Sequence, residues 1–257
     1  MRRSNIVLSL ILFYSIFIIV IPLYFGGTFI DLSSNILSLM VSIVIYLVLF
    51  LLGVYYRLEE TSLSTKELSF IAIYSTFAAV ARIPFISLPG IQPSSYLILI
   101  VGYVFGPLIG CMIGANVAII SNIILGQGAW TVYQIIAWGF IGVVGGLLNL
   151  SKNKKPNRCV LSIIGFILGF IFGWIMNLWT WMMSTPSLSF NSFLIVSMKS
   201  FPFDLAHAIG NFLFLFFFVF DFFLVFPLYS VIVLGFVSSF FSVSLVSSHC
   251  TFVMMDR

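Results

Sequence analysis

Gly126-Gln127-Gly128-Ala129-Trp130-Thr131 interrupts the most apolar part of this 257-residue chain, and its reading decides the fold. From 83 to 151 there is no Asp, Glu, Lys or Arg at all. Glycines on either side of a Gln, followed by an indole and a hydroxyl, end one apolar run and open the next. The flanking runs are therefore two membrane helices joined by a polar turn. Gln, Trp and Thr kept together in so apolar a setting also mark a place where a small molecule could sit.

Composition extends that reading to the whole chain. It is 61% hydrophobic and 7% charged, with a mean hydropathy of +1.22, whereas soluble domains carry about 25% charged residues. A hydrocarbon core about 30 Å thick takes roughly 20 apolar residues per helix. A chain in lipid must satisfy its own backbone hydrogen bonds, so long apolar blocks become helices. A barrel would need short alternating strands, and Phe, Leu and Ile come here in blocks. The expected fold class is all-α, a polytopic membrane protein.

Candidate spans are 6–25, 36–56, 68–84, 94–109, 110–125, 131–149, 160–183, 203–220 and 222–246. Gly106-Pro107 separates the fourth from the fifth, because Pro cannot continue a helix and Gly tolerates the turn. Arg2-Arg3 and the run behind them resemble a signal sequence, but the run is too long and no small-x-small site follows, so it reads as a retained span. The acid- and base-rich stretch 57–67 marks a boundary. It divides the chain into a two-helix appendage (1–56), a cytoplasmic linker (57–65), a six-helix core (66–220) and an apolar extension (221–257).

Lys and Arg set orientation. With the N-terminus cytoplasmic, Arg2, Arg3, Arg57, Lys66, Lys152, Lys154, Lys155 and Arg158 all fall inside. That places 84–92, the 126–131 turn and 185–191 together on the outer face. The Lys152–Arg158 cluster is a topology signal, and the chain offers no basic face for nucleic acid.

Ionisable and polar groups inside a span mark functional sites by default. Arg82 closes the third span; Asn116, Ser121 and Asn122 lead into the turn, and Gln134 follows it. Asp204, His207 and Asn211 recur at i, i+3 and i+7 and share one helix face, with Pro202 read as the first turn of that helix. The bland alternative is a capping Asp and an interhelical hydrogen bond from His207. Trp130 beside Gln127 offers stacking plus a donor and an acceptor. Trp138, Tyr133 and Tyr96 read as belt or core residues. Trp174, Trp179, Trp181, Met176, Met182 and Met183 surround Asn177 and suit either packing or a pocket wall. Small-xxx-small pairs at Ala72/Thr76, Ser75/Ala79 and Gly142/Gly146 let helices approach, within the chain or against a partner.

Other chemistries lack their signatures. There is no Walker A sequence, HExxH or GxSxG, two histidines cannot build a multi-His metal site, and the three cysteines have no ligand spacing. No cofactor is expected.

The runs Ile91-Gln92-Pro93-Ser94, Gly106-Pro107-Leu108-Ile109-Gly110 and Gly126-Gln127-Gly128-Ala129-Trp130-Thr131-Val132-Tyr133-Gln134, with Pro202-Phe203-Asp204-Leu205-Ala206-His207-Ala208-Ile209-Gly210-Asn211, resemble the substrate-binding S components of energy-coupling factor (ECF) vitamin transporters. The resemblance covers roughly 66–220. It implies a six-helix core with a vitamin or precursor bound at the outer face, among Gln92, Gln127, Trp130, Thr131, Gln134, Asn177, Asp204, His207 and Asn211. It implies a membrane scaffold subunit and two ATPases as partners, with Ala72, Thr76 and Ala79 toward the scaffold. The two leading spans and the apolar tail depart from the pattern. Two other classes stay open: an intramembrane enzyme using Lys199, Asp204 and His207, and a stand-alone carrier coupled through Asp204. Trp130, Tyr133, Gln127 and Asn177 suit a conjugated ring ligand such as riboflavin, a pyrimidine precursor or a corrinoid.

Overall fold

The computed structural model describes residues 63–148, 157–185 and 189–219, with isolated positions among 6–60. The expected spans 6–25, 36–56 and 222–246 and the basic cluster at 152–155 lie outside the described residues or touch them only at single positions. Among the described residues there are helices and no strand. These are α1 (Thr65–Val80), a 3-10 turn (Ile83–Phe85), α2 (Ser94–Phe105), α3 (Pro107–Leu125), α4 (Trp130–Leu148), α5 (Arg158–Ser184) and α6 (Phe190–Val219). Five are long and apolar enough to cross a membrane, α1 being counted through Phe85. The sixth, α2, has 12 residues, about 18 Å of helix, and falls short of the hydrocarbon thickness. The polytopic all-α class and the six core helices stand as expected.

Local chemistry explains the boundaries. Ser64 caps α1 in a reciprocal box with Glu67: the serine hydroxyl accepts from the Glu67 amide, and the carboxylate accepts from the Ser64 amide at 2.7 Å. Asn157 caps α5 by accepting from the amides of Cys159 and Val160. Between α2 and α3, Gly106 takes φ 92°, a left-handed conformation that side chains resist, and Pro107 opens α3 where its missing N–H does no harm.

One boundary differs from the sequence reading. The helix expected to start at Pro202 starts at Phe190, so Asn191 and Lys199 are helical and Pro202 lies in the interior of α6. The start is set by Ser189 and Ser192, whose hydroxyls each accept from the other's amide, at 3.2 and 3.0 Å. Pro202 removes the bond to the carbonyl of Met198. Membrane helices accommodate such a proline when the freed group is met locally.

α4 is the central helix, packed mainly against α3 and α2. Its contact face is a glycine seam. A Cβ on Gly142 would meet the Gly110 carbonyl and the Cys111 amide, and one on Gly145 would meet the Leu99 carbonyl. The helices touch backbone to backbone, as small residues permit in lipid. The Gly142/Gly146 pair is thus used within the chain. On α1, Ser75 and Ala79 are buried, with Ala79 at 1% exposure. Ala72 and Thr76 are exposed. Of the three small residues expected to face a partner, the open face therefore carries two. Contacts divide the chain into Met1–Leu215 and Phe216–Arg257; of the second unit, the end of α6 is described.

Candidate functional site

The loop leaving α1 returns to α2 through residues 86–93, and its apex is Gly90. Gly90 takes φ 80°, and a Cβ there would run into the Phe203 carbonyl, 2.6 Å away, and the His207 amide at 3.2 Å. Lack of a side chain lets the loop lie on α6. His207 fastens it: ring Nδ1 is 2.7 Å from the Gly90 carbonyl, which can only accept, so Nδ1 carries the hydrogen.

That assignment propagates. In the neutral imidazole the other ring nitrogen, Nε2, accepts, and its partner is the Ser95 hydroxyl at 3.0 Å. Ser95 Oγ in turn accepts from the Trp138 indole N–H at 3.1 Å. A continuous relay therefore runs from α4 through α2 and α6 to the loop, every donor matched to an acceptor in the neutral imidazole form. The Phe172 ring of α5 lies 4.8 Å from the imidazole, centroid to centroid.

Arg82 joins the relay from the other side. Its Nε donates to Gln92 Oε1 at 2.8 Å and its Nη1 donates to Ser121 Oγ. The guanidinium carbon sits 4.8 Å over the Trp138 ring, within cation–π range. Arg82, Ser95, Ser121, Trp138 and His207 are all buried. This cluster joins the turn that follows α1, the loop, and α2, α3, α4 and α6.

The turn that opened the sequence reading forms a second cluster next to it. Asn122, one residue after Ser121, donates to Thr131 Oγ1 at 2.8 Å and Gln134 Oε1 at 2.6 Å. Thr131 donates to Gln127 Oε1, and the Gln127 amide donates to the Ile119 carbonyl, both at 2.9 Å. Gln127 is exposed and works here as a staple across the turn. Trp130 is half-buried and meets Trp179 edge-on at 6.4 Å.

The third cluster joins α5 to α6. Asp204 Oδ2 accepts from Asn177 at 2.9 Å and from Ser200 at 3.1 Å. Asp204, His207 and Asn211 are all buried on one face of α6, as their spacing implied. Asn211 donates weakly to the Gly165 carbonyl at 3.4 Å, and its Oδ1 has no partner. With Ser95, Tyr96, Leu99 and Leu168 it lines a narrow crevice with no room for a water molecule.

The Trp–Met group around Asn177 is largely packing. Trp181 is buried and donates to Ser192 at 2.7 Å, and Val132, Tyr133, Leu178, Trp181 and Val196 form a core against which Met176, Met182 and Trp179 lie. Trp174 is exposed. Lys199 is exposed while Asp204 and His207 are buried, and Asp204 and His207 bond other residues than one another. Among the described residues no three His, Cys, Asp or Glu side chains gather as metal ligands.

Sequence reasoning missed Ser95, Gly90 and Phe172 and underrated Trp138. A serine in the first turn of an apolar helix carries no periodic signal. The proline-glycine pair Pro89-Gly90 was the available clue to a loop apex that needs a bare backbone.

No curated protein and no solved structure matches the chain. A family model for the ECF transporter substrate-specific component matches residues 66–219, which takes in α1 from Lys66 through α6 and with them all three polar clusters. Its span coincides with the six described helices. The chain is a multi-pass membrane protein that belongs to the family of ECF transporter substrate-specific components.

Proposed function

We propose that this chain captures a vitamin or vitamin precursor at the outer face of the cell membrane, for ATP-driven uptake by a scaffold membrane subunit and two ATPase subunits. The N-terminus is cytoplasmic in this reading, in keeping with the distribution of Lys and Arg. The observation that carries the proposal is the buried relay of Arg82, Gln92, Ser121, Trp138, Ser95 and His207, roofed by the loop through Gly90. Polar groups at this density inside apolar helices belong to a bundle interior that receives something polar.

Ligand contact is assigned to Gln92, Gln127, Trp130, Thr131, Gln134, Asn177, Asp204, His207 and Asn211. Many of these now bond one another, so binding exchanges internal hydrogen bonds for ligand bonds as the loop lifts. Ala72 and Thr76 form the contact with the scaffold subunit, which supplies the ATP coupling that this chain has no sequence for. Titration in detergent with the vitamin recovered from the wild-type protein tests the site. Trp130→Ala and Asp204→Ala are each expected to weaken binding at least tenfold, about 1.4 kcal/mol. Unchanged affinity in both would remove the proposed pocket.

A further inference from the structure

Arg82 is a buried cation whose charge meets no carboxylate among the described residues. It is 6% exposed, and its partners are Gln92, Ser121 and the face of Trp138, all neutral. Among the described residues it forms no ion pair. In the sequence no Asp or Glu occurs between Glu67 and Asp204. Glu67 lies at the opposite end of α1, bonded to its own cap. Asp204 already receives two neutral donors.

A guanidinium presents five N–H donors in a planar fork. Nε and Nη1 are engaged, and their partners, with the indole below, fix the plane. Nη2 bonds nothing among the described residues. Among the described residues, the fully buried polar side-chain atoms without a partner are Ser75 Oγ, Ser197 Oγ and Asn211 Oδ1. Nη2 is not among them, so it keeps some exposed surface although Arg82 as a whole is buried.

A charge removed from water and left unpaired is costly. A chain that holds one rigidly, with one edge free, is built to complete it. The fork geometry suits a planar carboxylate or a phosphate, where a lysine would act only as a point charge. We propose that the molecule captured at this site carries an anionic group, a carboxylate or a phosphate, that pairs with the open edge of Arg82. The inference rests on the capture reading and adds the chemical class of the ligand. A ligand without charge would leave Arg82 uncompensated.

An anionic lipid headgroup has the same chemistry, so the test separates the two sources. The full chain is reconstituted in phosphatidylcholine nanodiscs and titrated by tryptophan fluorescence with matched pairs: pantothenate and pantothenol, nicotinate and nicotinamide, riboflavin 5′-phosphate and riboflavin. In at least one pair the charged member is expected to bind at least tenfold more tightly. Arg82→Gln should abolish that preference. Arg82→Lys, which keeps the charge and loses the fork, should weaken the charged member alone, and it decides the matter should Arg82→Gln fail to fold. A charged member bound as tightly by Arg82→Lys as by the wild type overturns the proposal. So does equal or tighter binding of the neutral member in every responding pair, an outcome that leaves capture standing. No response to any pair by folded protein counts against both readings. In phosphatidylglycerol nanodiscs the preference should persist. Its loss there, together with Arg82-dependent stabilisation by that lipid, would assign the counter-charge to the headgroup and refute the proposal.

Discussion

His207→Phe removes the two hydrogen bonds that tie the loop to the helices while keeping a ring of similar size against Phe172. In the wild type, Nδ1–H donates to the Gly90 carbonyl at 2.7 Å and Nε2 accepts from Ser95 at 3.0 Å. Each bond contributes a net ~0.5–1.5 kcal/mol, and a buried group left without a partner costs ~1–3 kcal/mol. The Ser95 hydroxyl can rotate, so the Gly90 carbonyl is the group most exposed to that penalty. The sum is about 2–6 kcal/mol. For a protein of this size each kcal/mol moves the melting point by about 2–4 °C, which gives a fall of roughly 4–24 °C in detergent. Because Ser95 also accepts from Trp138, the sites act as a unit, and Ser95→Ala combined with His207→Phe should cost less than the sum of the single changes. A coupling of about 1 kcal/mol is expected in the double-mutant cycle. A melting point within 1 °C of wild type for His207→Phe, or strict additivity in the cycle, would refute the relay.

Gly142→Leu should prevent α4 from closing on α3, because the new Cβ points into the Gly110 backbone. A loss of about 3 kcal/mol or more is expected, read as aggregation in size-exclusion chromatography. Asn122→Ala should free the 126–129 turn by removing two hydrogen bonds, at about 1–2 kcal/mol, and speed proteolysis there. Ala72→Trp with Thr76→Trp should block co-purification with a scaffold subunit while ligand affinity stays within twofold. Deleting residues 1–56 should leave ligand binding intact; lost binding in a folded deletion would make that segment part of the site.

How much of this was legible in the sequence depends on the kind of signal. Hydropathy and the Gly106-Pro107 and 126–131 breaks located the core helices, because lipid leaves a long apolar run no alternative to helix. The start of α6 was misread because Pro202 looked like a first-turn proline. The deciding pair, Ser189 and Ser192, is made of two ordinary serines whose reciprocal capping is a matter of geometry. The 204/207/211 face was visible as spacing. Its partners were not, since Ser95 and Gly90 stand more than a hundred residues away from His207 in the chain. Trp138 read as belt or core and is indeed buried, but burial alone does not reveal that its N–H and its ring face are both engaged. Gln127, the centre of the opening motif, proved to staple its own turn.

The central claim is that a small vitamin-like molecule occupies this bundle. Mass spectrometry of small molecules extracted from freshly purified protein tests it most directly. The account predicts a vitamin or vitamin precursor in near-stoichiometric amount, lost together with the buried relay in His207→Phe. Recovery of a lipid-like species alone, in the same amount from wild type and variant, would contradict it.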